Sequence, residues 1–259
     1  MGLFDKKFCD VCGEKIGLLG NRKLEDANLC KKCAAKLSPW FSERRQSTLA
    51  EIKAQLAYRE ENREAVKAFH TTRTLGRNVK VLLDEDARKF MVTSARDLEE
   101  ANPDVLDFAQ VTGCDLDVDE SRSEIYRKDK DGKNISYNPK KYEYSYNFYV
   151  IIHVNHPYFD EMRFRLNSSS VEVGEHRIGE AVSVAKPSGK GMAQTVIRNA
   201  EYTEFQNMGM EIREALTQVR ESVREEAAPK KAVLCPHCGA TTMPDANGCC
   251  EYCGGALNG

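Results

Sequence analysis

The sequence predicts an α+β chain in which an antiparallel β domain lies between two small cysteine-rich modules. Three observations predict it. Cysteines are paired as C-x2-C only near the two ends, the apolar residues of the middle alternate with period two, and two long stretches carry helical periodicity.

The first element is the opening cysteine module. Cys9, Cys12, Cys30 and Cys33 read C-x2-C, seventeen residues, C-x2-C, and Cys235, Cys238, Cys249, Cys250 and Cys253 gather at the other end, with only Cys114 between. Two residues between cysteines let one tight turn aim both sulfurs at a single ion, and Zn²⁺ takes four thiolates tetrahedrally. Gly13 follows Cys12 where the turn demands a positive φ. Cys30-Lys31-Lys32-Cys33 runs into Ala34, Ala35, Lys36 and Leu37, a helix-forming stretch whose N-terminus favours thiolates. A knuckle, a short hairpin and a helix carrying the last two ligands make a treble-clef-like module over residues 1–40.

Ser38-Pro39-Trp40 then breaks the helix, and Thr48-Leu49-Ala50-Glu51 is a capping box ahead of a helix from Leu49 to Phe69. Leu49, Ile52 and Leu56 form an apolar stripe that Arg59 and Arg63 interrupt before Val66 and Phe69. So thin a seam marks residues 41–76 as a connecting helix.

Residues 77–228 form the β domain. Val79–Leu83 and Lys89–Val92 are short strands about a turn at Asp84-Glu85-Asp86, and Val105–Val111 mixes apolar and polar residues. Cys114, Leu116 and Val118 alternate with Asp115, Asp117 and Asp119, Lys130–Lys133 is a hairpin tip, Tyr142–Val154 is a long aromatic strand, and Met162–Leu166 alternates again. Asn199 to Ala227 reads as one helix with Phe205, Met208, Ile212, Leu216 and Val219 on one face, weakened at Gly209. A linker at Ala227-Ala228-Pro229-Lys230-Lys231 leads into residues 229–259. There Cys235, Cys238, Cys250 and Cys253, each pair followed by glycine, form two facing knuckles, a zinc ribbon turned by Asp245, Asn247 and Gly248. Cys249 is surplus because Cys250 restores the two-residue spacing, and His237 points outward.

Two zinc ions are therefore expected, on Cys9, Cys12, Cys30 and Cys33 and on Cys235, Cys238, Cys250 and Cys253. Both sites are closed, with no open position for water, and so structural. Iron is the chemical competitor. The disulfide alternative needs an oxidising compartment. The start, MGLFDKKFCD, has no apolar signal core, and Lys6 stands where myristoylation wants Ser or Thr, so a cytoplasmic location is expected. No apolar run approaches the ~18 residues of a membrane span, so no transmembrane segment is expected.

The opening CDVCG…KLEDANLCKKC and the helix after it resemble a small bacterial zinc-binding family known only as a domain of unknown function (number 4428). The resemblance covers about the first 50 residues. It implies metal binding on Cys9, Cys12, Cys30 and Cys33 and no activity. The closing CPHCGATTMPDANGCCEYCGG resembles a generic bacterial zinc-ribbon tail. The middle is similar in element order to pleckstrin-homology-like domains, which implies a binding platform without naming its ligand.

Charge narrows the function classes. The 38 Lys and Arg against 40 Asp and Glu exclude a polycation that binds by charge alone. The balance is uneven along the chain: residues 1–47 carry +4, 48–80 carry +3, 81–180 carry −8 and 181–259 carry −1. Catalytic fragments do worse than plain ones. Asp115-x-Asp117-x-Asp119 imitates a calcium loop, but Glu120 and Tyr126 occupy its glycine and bidentate-acid positions. Pro187-Ser188-Gly189-Lys190-Gly191 lacks the first glycine and the hydroxyl of a phosphate loop. His153 and His156 flank a strand end, and Cys114 alternates inward as an inert thiol. No enzyme is expected. A protein-binding adaptor leads. The alternatives are nucleic-acid binding through Lys6, Lys7, Arg22, Lys23, Lys31 and Lys32, and peripheral membrane binding if Lys140, Lys141, Arg163 and Arg165 cluster.

Overall fold

The computed structural model describes residues 6–185, 192–227, 232–245 and 248–257. The expected loop at Pro187–Gly191, the linker from Ala228 to Lys231 and the turn residue Asn247 lie outside the described residues. The chain divides into two compact units, Met1–Arg220 and Glu221–Gly259.

The first unit opens with two short antiparallel pairs, β1 (Lys7–Phe8) with β2 (Lys15–Ile16) and β3 (Arg22–Lys23) with β4 (Asn28–Leu29), followed by the single-turn helix α1 (Lys31–Ala34). Strands this short cannot hold themselves. Ile16, Leu24, Leu29 and Leu37 bury together with Cys9, Cys30 and Cys33, and Ile52 closes the cluster. Ile52 belongs to α2 (Leu49–Ala68), so the cluster reaches into that helix's first turn after the 3₁₀ turn Glu43–Arg45. The expected capping box is present: Thr48 Oγ1 accepts from Glu51 N at 3.3 Å, and Glu51 Oε2 accepts from Thr48 N at 2.7 Å.

Where the sequence shows Arg59 only breaking an apolar seam, the fold buries it. Its guanidinium donates to Asp104 Oδ1 at 2.7 Å and to the carbonyls of Lys36 and Asn102. Asn62 Nδ2 donates to Asn102 Oδ1 and to the Pro103 carbonyl, each at 2.8 Å, and Ser38 Oγ donates to Asp104 Oδ2 at 2.8 Å. Three segments, 36–38, α2 and 102–105, are thereby pinned through one satisfied polar network. A buried charge requires such a complete set of partners. Arg63, by contrast, is exposed and pairs with Glu60.

Beyond α2 a meander of four antiparallel strands runs in the order β5 (Arg73–Gly76), β6 (Lys80–Asp84), β7 (Lys89–Thr93), β8 (Val105–Asp107). The short helix α3 (Leu98–Ala101) lies between the last two strands. β6 and β7 are almost wholly buried, which their continuous apolar runs require. At the expected turn, the buried Asp84 carboxylate accepts from Ala87 N at 2.9 Å and His70 N at 2.8 Å. Val105–Val111 resolves into β8, a 3₁₀ turn at Phe108–Gln110 and the start of the next strand.

The second four-stranded sheet is dominated by one hairpin, β9 (Val111–Lys128) and β10 (Asn134–His156), with β11 (Phe159–Arg165) and β12 (Val171–Gly174) also pairing with β10. A separate hairpin, β13 (Ala181–Ala185) with β14 (Met192–Val196), follows and has no counterpart in the sequence expectation. The helix α4 (Ala200–Ala227) buries Phe205, Ile212, Ala215 and Leu216. Phe148 of β10 lies between Tyr202 and Phe205 at 5.0 and 5.8 Å centroid distance. Gly209 looks like a weak point in the helix, yet a methyl group there would sit 2.3 Å from Leu116 Cδ1. Its missing side chain lets α4 approach β9.

The second unit begins with the last residues of α4; after the helix come β15 (Val233–Leu234) paired with β16 (Thr241–Thr242), then bridges joining Pro244 to Cys250 and Cys249 to Ala256. Among its described residues only Cys235, Cys250 and Thr242 are buried.

Candidate metal centres

Three of the four C-x2-C segments fold into the same knuckle. Cys9, Cys235 and Cys250 each accept at their carbonyl from the glycine four residues on, Gly13, Gly239 and Gly254, at 2.7, 2.9 and 2.8 Å. Each also donates its N–H to the carbonyl five residues on, that of Glu14, Ala240 or Gly255, at 2.8 to 2.9 Å. The three glycines hold φ of 71°, 72° and 70°, the left-handed region a β-carbon disfavours. The fourth segment is different. Cys30 is the N-cap of α1, and its sulfur accepts from Cys33 N at 3.4 Å.

The fold brings all eight expected thiols into two groups. Cys9, Cys12, Cys30 and Cys33 form one, Cys235, Cys238, Cys250 and Cys253 the other, with the sulfurs of each within 4.8 Å of one another. Cys249 stands outside the second group, and its N–H donates to Asp245 Oδ1 at 2.8 Å. None of the cysteines is disulfide-bonded. Individual separations are 3.8 Å for Cys12–Cys30, 3.6 Å for Cys235–Cys253 and 3.7 Å for Cys238–Cys250. A tetrahedron with Zn–S bonds of about 2.3 Å has edges of about 3.8 Å, far from a disulfide's ~2.05 Å. The donor set and its spacing fit a four-thiolate zinc ion in both places.

The electrostatics of each group call for a cation. Burial pushes the Cys9 thiol up, but the N–H groups of Cys12, Cys30 and Val11 outweigh it and bring it down to about 6. Burial of Cys235 is outweighed in the same way by Cys238 and His237, leaving it at about 6. The partners go the other way. Cys33 is pushed far up by burial and then by the sulfurs of Cys12, Cys30 and Cys9. At Cys253 the Gly255 N–H pulls down, yet Cys238, desolvation, Cys235 and Cys250 hold the thiol at about 12. One thiolate forms readily in each group and then opposes the others, a conflict that a dication removes.

The remaining sequence candidates separate. His237 is exposed. Cys114 is half-buried, and desolvation with the adjacent Asp115 holds its thiol at about 12. Asp115 and Asp117 pair across strands with His153 and Arg163 at 3.0 and 2.9 Å instead of converging on an ion. His156 is half-buried against Phe159 at 4.1 Å and Tyr58 at 5.1 Å. The basic side chains proposed as a membrane patch are taken up locally: Lys140 by Glu124, Lys141 by Glu175, Arg163 by Asp117, and Arg165 by the Ser170 hydroxyl. Of the six expected nucleic-acid contacts, Lys32 pairs with Glu14 at 3.1 Å, whereas Arg22 and Lys23 meet Arg44 and Arg45, which the sequence pattern did not single out. Their one sequence signal is the Arg44-Arg45 dipeptide itself.

Residues 7–55 match the family model described as Domain of unknown function (DUF4428). The matched stretch holds the four front cysteines and ends inside α2. No curated protein and no solved structure matches the chain. Among the described residues, no helix is long and apolar enough to cross a membrane.

Proposed function

We propose that the protein is a non-enzymatic, zinc-dependent binding protein of the cytoplasm. Two structural zinc ions, one on Cys9, Cys12, Cys30 and Cys33 and one on Cys235, Cys238, Cys250 and Cys253, hold the modules that contact a protein partner. The observation that carries the metal assignment is the pair of thiol tetrads whose sulfurs lie within 4.8 Å of one another, with separations of 3.6 to 3.8 Å at Cys12–Cys30, Cys235–Cys253 and Cys238–Cys250. When bound, zinc supplies charge neutralisation and a fixed geometry. Four protein thiols fill its coordination and leave no position for a reacting water. A reducing compartment suits eight thiols at these separations.

Exposed apolar side chains on both modules support a protein partner. Leu18 and Leu19 are 89% and 82% exposed in the front module, and Tyr252 and Leu234 are 73% and 69% exposed in the ribbon. Large apolar residues this open are what partner surfaces use. The middle acts as a platform in the same assembly. Its two four-stranded sheets, then the β13–β14 hairpin and a closing helix, support the pleckstrin-homology-like element order.

Metal analysis of the purified full chain tests the first part: two zinc atoms per chain are expected, and one or none overturns it. Affinity capture with and without chelator tests the second. Partners released on chelation are expected, and capture of none overturns the adaptor assignment.

A further inference from the structure

We propose that Arg22, Lys23, Arg44 and Arg45 form an oxyanion site that holds the phosphate group of a phosphorylated ligand. The four line a cavity of about 710 Å³ on the surface of the front module. They come from two elements far apart in sequence, β3 and the 3₁₀ turn Glu43–Arg45. The turn is fastened onto the strand region by two bonds and braced by a third within itself. Arg44 Nη1 donates to the Lys23 carbonyl at 2.7 Å, Glu25 N to the Ser47 carbonyl at 3.0 Å, and Ser47 Oγ to the Glu43 carbonyl at 3.0 Å. The convergence of the cations is therefore built into the fold.

Their charge is not compensated from within. Elsewhere in the first unit Lys32, Arg59, Arg63, Lys67, Arg73, Arg77, Lys89, Lys140, Lys141, Arg163 and Arg177 each reach a carboxylate. Among the described residues none of these four cations has such a partner; the Glu25 carboxylate lines the same cavity without pairing with them and leaves an excess of three positive charges. Burial, then Arg45, then Arg22 depress Arg44, so the charges it feels are positive. Like charges held together in this way are relieved by an anion.

The side chains choose the anion. Three guanidinium forks offer planar pairs of donors that match the oxygens of a phosphate, with one ammonium as a point charge. The cavity is larger than a bare phosphate, so an ester substituent has room to leave it. Among the described residues no aromatic side chain lines it, so base stacking is not part of the site they build, and recognition is of the phosphate itself.

The test is calorimetric titration of the full, metal-containing chain with inorganic pyrophosphate at low ionic strength. Saturable binding that weakens as salt rises is expected. The Arg44→Gln/Arg45→Gln variant should bind at least about tenfold more weakly, while Lys130→Gln, which removes one exposed charge at the β9–β10 tip, should bind as the parent does. Because Arg44 also bonds to β3, Arg45→Gln alone serves as the second variant. It should keep the parent melting temperature and still lose several-fold in affinity. No binding of pyrophosphate, or equal binding by the parent and Arg45→Gln, overturns the proposal. Parallel titrations with a single-stranded oligodeoxynucleotide and with phosphatidic acid vesicles distinguish a phosphodiester from a lipid headgroup as the source. In either arm the gain over pyrophosphate must vanish in the double variant; a gain that survives overturns the site.

Discussion

The two four-thiol modules share their ligand chemistry and the same knuckle, yet they are held in different ways. In the front module Ile16, Leu24, Leu29, Leu37 and Ile52 pack around the cysteines, and α2 is pinned beyond them by Arg59 and Asp104. In the ribbon Cys235, Cys250 and Thr242 are the buried residues among those described, although its strands are as short as those of the front module. Identical metal chemistry thus serves a module that has an apolar core and one that has almost none. The metal should carry most of the folding free energy in the second and only part of it in the first.

Metal removal should separate them most sharply. Zinc contributes on the order of 10–16 kcal/mol in isolated finger peptides. Chelation, or Cys250→Ser, is therefore expected to collapse the amide resonances of the ribbon, while those of α2 and the β5–β8 meander stay dispersed. Acidification should act in the same direction, because the thiolates must stay deprotonated to hold the ion and affinity falls as pH falls. A ribbon that stays dispersed without metal would break the comparison.

The pinned network comes next. Asp104→Asn should cost about 3–5 kcal/mol in denaturant unfolding, since it leaves the Arg59 charge buried without its counter-ion. A matched pair then sharpens the contrast in packing. Leu29→Ala in the front module should cost about 2–4 kcal/mol, whereas Leu234→Ala in the ribbon should stay within about 0.5 kcal/mol, because Leu29 is fully buried and Leu234 is exposed. Equal costs would show that the two modules are packed alike. The smallest effect is at the helix start. Thr48→Ala removes the acceptor for Glu51 N and should cost about 1 kcal/mol, read as a shift in the unfolding midpoint.

What was legible in the sequence was local. Two-residue spacing, followed by glycine in three of the four pairs, is decided within a single turn, so all eight thiols can be named and grouped, and Cys250 chosen over Cys249. The capping box at Thr48 and the alternation of Cys114, Leu116 and Val118 are local in the same sense. The rest depends on residues that meet across long stretches of chain. Arg59 and Asp104 are 45 positions apart, and nothing near Arg59 announces its partner. Arg22 and Lys23 could be named as basic residues, but their junction with Arg44 and Arg45 exists only once the 3₁₀ turn packs on β3. Helix propensity makes Gly209 a weak point because propensity carries no knowledge of Leu116 on a neighbouring strand.

The pin on α2 also decides how portable each module is. A peptide ending at residue 55 would keep the four front cysteines but stop α2 after seven residues, before Arg59 and Asn62. It would also leave Ser38 and the Lys36 carbonyl without the groups that hold them, because those come from Arg59 and Asp104. The front tetrad is thus rooted in its host, and a graft that keeps its shape must carry the chain through Asp104. Among the described residues the ribbon's backbone pairings run within residues 233–257, so the ribbon is the better piece to graft onto another chain.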